Sequence, residues 1–135
     1  MALLKIDVEG NEYTSLQDID SETFKCVDQL AIELHFLNKF ADVDFAHKVI
    51  NILRAILRTH VVTYISPNNY GGAVSLQTGV LWPFTLEVLF VKRELIQGDV
   101  GIHKFPNIVK VINRNWHLGK KLDLTSWRSL VKGLD

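Results

Sequence analysis

The opening stretch, Leu3-Leu4-Lys5-Ile6-Asp7-Val8-Glu9-Gly10-Asn11-Glu12, has the pattern of a strand running directly into a helix, and this junction limits the folds open to the chain. Leu4, Ile6 and Val8 fall on one face by the two-residue repeat of a strand, with Lys5, Asp7 and Glu9 on the other. Gly10 lets the chain turn, and Asn11 is expected to cap the helix that follows. Two carboxylates and a lysine on one face of a short apolar strand sit poorly in a core. They collect where the strand ends, which is where open α/β sheets build ligand sites.

The rest of the chain repeats this alternation. Tyr13, Leu16 and Ile19 give a helix near 11–19 its apolar stripe, and Asp20-Ser21-Glu22 reads as a polar connection. The apolar run from Cys26 to Phe36 suits a strand buried on both faces. Residues 42–59 form the clearest helix, with Val43, Ala46, Val49, Ile50, Leu53, Ile56 and Leu57 as its apolar face and Asp42 as its cap. Val61–Ile65 reads as a strand, Ser66–Gly72 as a loop on turn chemistry, and Phe84–Lys92 as a last strand with Leu86, Val88 and Phe90 on one face. Strands alternating with helices imply a largely parallel sheet. The last strand has no helix before it and is expected to enter antiparallel beside the strand at 61–66. Beyond Gln97 the pattern weakens, leaving a short helix at Thr125–Val131 and two tryptophans, Trp116 and Trp127, that need cover.

At 135 residues and 47% hydrophobic content, the chain is large enough for one domain with its own core. A formal net charge of zero argues against long-range attraction to nucleic acid or anionic membrane. Lys104, Lys110, Arg114, Lys120, Lys121 and Arg128 read as a solvated surface, with a phosphate-binding patch as the other possibility. The one cysteine, Cys26, excludes an internal disulfide and reads as core packing. Charge follows Met1-Ala2-Leu3-Leu4 at once, unlike a signal peptide, and no apolar run nears the roughly 20 residues of a membrane span.

Asp7 and Glu9 end one strand, and Glu33 and His35 end the next. If the two strands are parallel neighbours, all four groups converge on one crevice. A histidine oriented by carboxylates is equipped to take a proton from a hydroxyl. The competing reading makes Glu9 a turn cap and His35 a satisfied sheet-edge residue. A metal is a third use of the same Asp/Glu/His set, although the other histidines, at 47, 60, 103 and 117, are scattered. In the loop Asn68-Asn69-Tyr70-Gly71-Gly72, amides and a tyrosine could orient a polar substrate, against the alternative of an ordinary glycine turn. The glycine pair lacks the Gly-x-Gly-x-x-Gly spacing of a phosphate loop.

Lys5-Ile6-Asp7-Val8-Glu9-Gly10-Asn11-Glu12, followed by Leu16, resembles the Lys-x-Asp-x-Glu-Gly-x-Glu signature of FkbM-type methyltransferases. The spacing to Ile32-Glu33-Leu34-His35, to Asn68-Asn69-Tyr70-Gly71-Gly72 and to Leu86-Glu87-Val88 is similar to the animal branch of that family, over roughly residues 2–93. The resemblance implies an α/β chain: the C-terminal half of a Rossmann-like class I methyltransferase sheet, its strands the fourth to seventh, mostly parallel with the last antiparallel. Residues 1–97 would be a partial methyltransferase domain and 98–135 a partly helical extension. It implies S-adenosylmethionine as cofactor and methyl transfer to an oxygen of a small-molecule or glycan-like hydroxyl acceptor. Only the Asp7/Glu9 corner carries over from the family, as a substrate-side or catalytic element. Joined to the strand-end and loop readings above, it gives Asp7, Glu9 and His35 as the expected catalytic set and Glu33, Asn68, Asn69 and Tyr70 as substrate-binding. The family's glycine-rich cofactor loop and ribose-binding acid belong to an N-terminal half with no counterpart in this sequence, so cofactor-binding residues have no positions to be carried onto. The chain alone is then expected to be inactive and to expose a sheet edge through which it self-associates. A non-catalytic binding module of the same fold and a metal-assisted enzyme using the Asp/Glu/His cluster are the alternatives.

Overall fold

The computed structural model describes residues 1–68, 72–75 and 81–96. Asn69, Tyr70 and the extension over 98–135 lie outside the described residues.

Four strands form the main sheet: β1 (Leu3–Ile6), β2 (Gln29–Leu34), β3 (His60–Pro67) and, numbered last in the chain, β6 (Leu86–Lys92). Their order is β1-β2-β6-β3. β1 pairs parallel with β2, with Leu4 opposite Leu30 and Ile6 opposite Ile32. β6 enters between β2 and β3 and runs antiparallel to both. Three strands therefore point one way and the last points back, the mixed α/β arrangement expected, with β6 beside β3. A second, two-stranded antiparallel sheet joins β4 (Ala73–Ser75) to β5 (Leu81–Pro83), a hairpin that turn chemistry alone did not reveal.

The helices are α1 (Glu12–Leu16), α2 (Ser21–Phe24) and α3 (Val43–Leu57). The helix expected over 11–19 is thus only five residues long, and the polar stretch after it is itself helical. Asp20 caps α2, its side chain accepting from the Thr23 N–H at 2.7 Å. Asn11 makes no side-chain cap at α1. Asp42 does cap α3 as expected, accepting from the Asp44 and Phe45 amides at 3.0 and 3.2 Å. β2 is shorter than the apolar run that suggested it, because Cys26 and Val27 close turns back onto Thr23 and Phe24. Cys26 is consequently exposed rather than packed in the core.

The core lies between the sheet and its helices. Tyr13, Leu16 and Phe24 come from α1 and α2, Val49, Ile52 and Ile56 from α3, and Leu30, Ile32, Leu34, Leu86, Val88 and Phe90 from β2 and β6. Each fully buried side chain of this kind contributes about 1.5–3 kcal/mol of transfer free energy. The alternation of Leu86, Val88 and Phe90 buries as read from the sequence. The face of α3 buries Val49 and Ile56 as expected but differs at two positions. Val43, in its first turn, is 65% exposed, whereas Ile52, absent from the expected stripe, is 3% exposed.

Candidate functional site at the strand ends

Because β1, β2 and β3 are co-directional, their C-terminal ends share one side of the sheet. Asp7 and Glu9 follow β1, Glu33 closes β2 with His35 just beyond it, and Asn68 follows β3. Of the residues the sequence singled out, Asp7, Glu9, Glu33, His35 and Asn68 therefore lie at one end of the sheet.

Two residues with left-handed backbone shape it. Glu9 has φ +52° and Phe36 φ +56°, and each ends the extended chain of its strand. Such a conformation costs a non-glycine residue roughly 1–3 kcal/mol and persists only where its surroundings over-determine it. Between them Gly10, at φ +101°, packs so tightly on the Phe36 ring that an added Cβ would stand 2.0 Å from Cε2. Only glycine fits this turn.

The residue that locks the corner is Glu12, which the sequence reading placed in the motif but not in the site. It is completely buried. One carboxylate oxygen accepts from the Gly10 N–H at 2.8 Å. The other accepts from the His35 N–H at 2.8 Å and lies 3.2 Å from His35 Nδ1. The side chain reaches two residues back to a turn amide, which explains why Asn11 is not needed as a cap. The sequence offered only its place in the motif, two positions past Gly10, which does not show that it is buried. Losing it would leave two backbone donors and a ring nitrogen unsatisfied in the interior, a cost of about 3 kcal/mol or more. Tyr13, next along α1, donates its hydroxyl to the His35 carbonyl. Burial, reinforced by the neighbouring Glu12, pushes the Tyr13 phenol far above its ordinary range, so it remains a donor.

His35 is thus held on three sides and is 8% exposed. In the tautomer that donates Nδ1–H to Glu12, the other ring nitrogen, Nε2, is the acceptor atom. That atom faces Glu9 Oε2 at 3.5 Å and Glu33 Oε1 at 3.7 Å. Glu33 in turn accepts from the Asn68 side-chain amide, which ties the end of β3 to the cluster. Asp7 lies against Lys5, whose ammonium is 3.3 Å from Oδ2.

The two neighbouring carboxyls, Asp7 and Glu33, move apart in acidity. The Lys5 ammonium beside Asp7 is the main reason its carboxyl is held below the ordinary value; a hydrogen bond with Glu33 acts in the same direction. Burial is the main reason Glu33 is raised above its ordinary value; Asn68 opposes this, while the charge of Asp7 and the hydrogen bond to it reinforce it. Of the two, Asp7 is the more acidic and Glu33 the less acidic. Oxygen and nitrogen atoms of Asp7, Glu9 and His35 also all lie within 4.8 Å of one another, a spacing from which a metal ion could be held.

The structure therefore brings together Asp7, Glu9, Glu33, His35 and Asn68. The 290 Å³ cavity lined by Lys25, Thr59, Lys92, Arg93 and Glu94 is unrelated to them. It sits at the opposite end of the sheet, where β3 begins and β6 finishes. Its lysines are already paired, Lys25 with Glu22 and Lys92 with Glu94, both at 2.7 Å. Among the described residues no helix is long and apolar enough to cross a membrane.

Comparison with known proteins gives one match. Residues 1–61 fit the family model described as the methyltransferase FkbM domain. The matched stretch contains the whole corner from Asp7 to His35 and continues through α3. No curated protein and no solved structure matches the chain.

Proposed function

We propose, from the match of residues 1–61 to the FkbM methyltransferase domain, that this chain supplies the acceptor side of an S-adenosylmethionine-dependent O-methyltransferase. The match supports a methyltransferase-like function. The observation that carries the finer reading is His35: a buried imidazole clamped through Nδ1 by Glu12, with Nε2 turned toward the open acidic corner.

In this reading a hydroxyl acceptor donates its hydrogen bond to His35 Nε2 and passes its proton there as the oxygen becomes a nucleophile. Glu12 stabilises the resulting imidazolium without itself moving, because both its oxygens are already committed to fixed donors. Glu33 and Asn68 position the acceptor, and Asp7 and Glu9 set the negative potential of the corner. Proximity and alignment provide the rest of the rate.

S-adenosylmethionine, when bound, supplies an electrophilic methyl group on a cationic sulfonium. The acidic corner suits that charge, but the described residues form no cradle for the adenosyl group. The one glycine turn at the corner is filled by the Phe36 ring. In this reading the cofactor site lies on polypeptide that pairs along β1. The described sheet then corresponds to the C-terminal half of a class I methyltransferase sheet, and the 135-residue chain transfers no methyl groups alone.

Calorimetric titration of the chain with S-adenosylmethionine tests this, together with the imidazole ¹⁵N shifts of His35. The expected result is no heat of binding and an Nδ1–H tautomer. Micromolar binding would overturn the assignment of the cofactor site to other polypeptide. An Nε2–H ring would remove His35 as the proton acceptor and favour a non-catalytic binding module.

A further inference from the structure

We propose that Asp7, Glu9 and His35 form a binding site for a divalent transition cation, of which Mn²⁺ and Zn²⁺ are suitable probes. Two carboxylates and an imidazole are a borderline-hard donor set that suits such ions better than Ca²⁺ or Mg²⁺, which prefer oxygen alone.

The carboxylates alone would not make a site; the histidine does. Its side chain is only 10% exposed, and Nε2 is aimed at the acidic corner, 3.5 Å from Glu9, a proposed ligand, and 3.7 Å from Glu33, which borders the site. The reason is Glu12, which lies outside the cluster and takes Nδ1 at 3.2 Å. A ligating histidine characteristically gives its other ring nitrogen to a carboxylate, which fixes the tautomer and raises the basicity of the ligand atom. Here that outer carboxylate is fully buried and is fixed independently by the Gly10 and His35 amides. A fully buried glutamate thus orients a ring whose outward nitrogen faces the carboxylates of Glu9 and Glu33.

The dimensions fit after a small closure. Donors about 2.1 Å from one cation stand at most about 4.2 Å apart. The three donor atoms lie within 4.8 Å of one another. Glu9 can make up the difference, since its side chain is 88% exposed and free to swing. Three protein ligands on one side leave the solvent-facing positions of the cation open.

Binding needs no methyl transfer. Its chemical consequence does rest on the proposed function: a lone pair bound to a cation cannot also accept a proton, so loading the site removes His35 from the role of base.

The test uses Mn²⁺ added to the 135-residue chain, read by electron paramagnetic resonance and by broadening of backbone amide signals. One ion per chain is expected, half-saturated well below about 1 mM, with broadening confined to residues 7–10 and 33–36. Glu12→Gln and His35→Gln should each weaken binding by about 10–100-fold. Since both are buried, the surface variant Asp7→Asn carries the same expectation without endangering the fold, and Glu22→Gln on α2 should change nothing. No saturable binding below about 1 mM, broadening centred elsewhere, or Asp7→Asn binding as tightly as the natural sequence would each overturn the site.

Discussion

The acid–base behaviour of the corner is decided by single side chains. Glu33 carries the informative titration. Its folded value is raised above the ordinary 4.5, so folding favours its protonated form. The stability it contributes is complete below the ordinary glutamate value and is lost as pH rises through the raised one. Asp7 has the opposite sign: lowered by Lys5, it contributes above its ordinary 3.8 and loses that contribution as pH falls through the lowered value. Thermal melts taken from just below pH 4.5 to neutrality should therefore show a decline in stability that Glu33→Gln abolishes. A decline that survives in Glu33→Gln would place its origin in another group. Asp7, Glu9, Glu33 and His35 were legible in the sequence because a two-residue strand repeat puts strand-end groups together once the strands are parallel. Glu12 was not, because nothing in a one-dimensional pattern tells a solvated helix-start glutamate from one swallowed by the core. The left-handed turns at Glu9 and Phe36 were equally hidden, since neither residue type advertises a positive φ.

At the scale of elements, strands and helices were legible and their edges were not. α3 was found with its cap and with Val49 and Ile56 of its stripe in the core, yet Val43 was wrongly included and Ile52 missed. Ten apolar residues over fifteen positions cover more than one face, and only the packing around the helix decides which of them are buried. The consequence is measurable. Ile52→Ala should cost about 2–5 kcal/mol and Val43→Ala within about 0.5 kcal/mol, read from urea denaturation midpoints. Equal costs would mean that Val43 is covered as fully as Ile52. The short α2 escaped notice because its four residues are too few for a helical repeat, leaving only the Asp20 cap as a sign. β4 and β5 escaped because three-residue strands carry no alternation to count.

For the molecule as a whole, the sheet's two borders differ. The β3 border is interrupted by a register shift between Val62 and Tyr64 and ends in Pro67, features that discourage a further strand. The β1 border has neither. Leu3 is 62% exposed, and Leu4 and Val8 are exposed beside it. Such a border pairs with whatever strand is offered. Sedimentation of the chain should show mass rising with concentration, and Leu3→Lys should suppress the rise. A species that stays monomeric at every concentration would show that the β1 border is closed by means other than pairing, and would weigh against the placement of the cofactor half there.

The position of β6 has a further consequence, for the order in which the molecule can be assembled. The central strand of the β2-β6-β3 trio is the last to leave the ribosome. Until it emerges, β3 has no neighbour in the main sheet, and β2 holds only β1. Synthesis therefore passes through a stage in which every element up to β5 exists and the sheet is still split by an empty lane. Its closure joins strands distant in sequence, the slow kind of step. During that interval two inner borders, as well as the outer one, are open to wrong partners. The same late insertion brings Leu86, Val88 and Phe90 under the helices in one event. Asn68, which follows β3, can therefore reach Glu33 at the end of β2 only when the fold is complete.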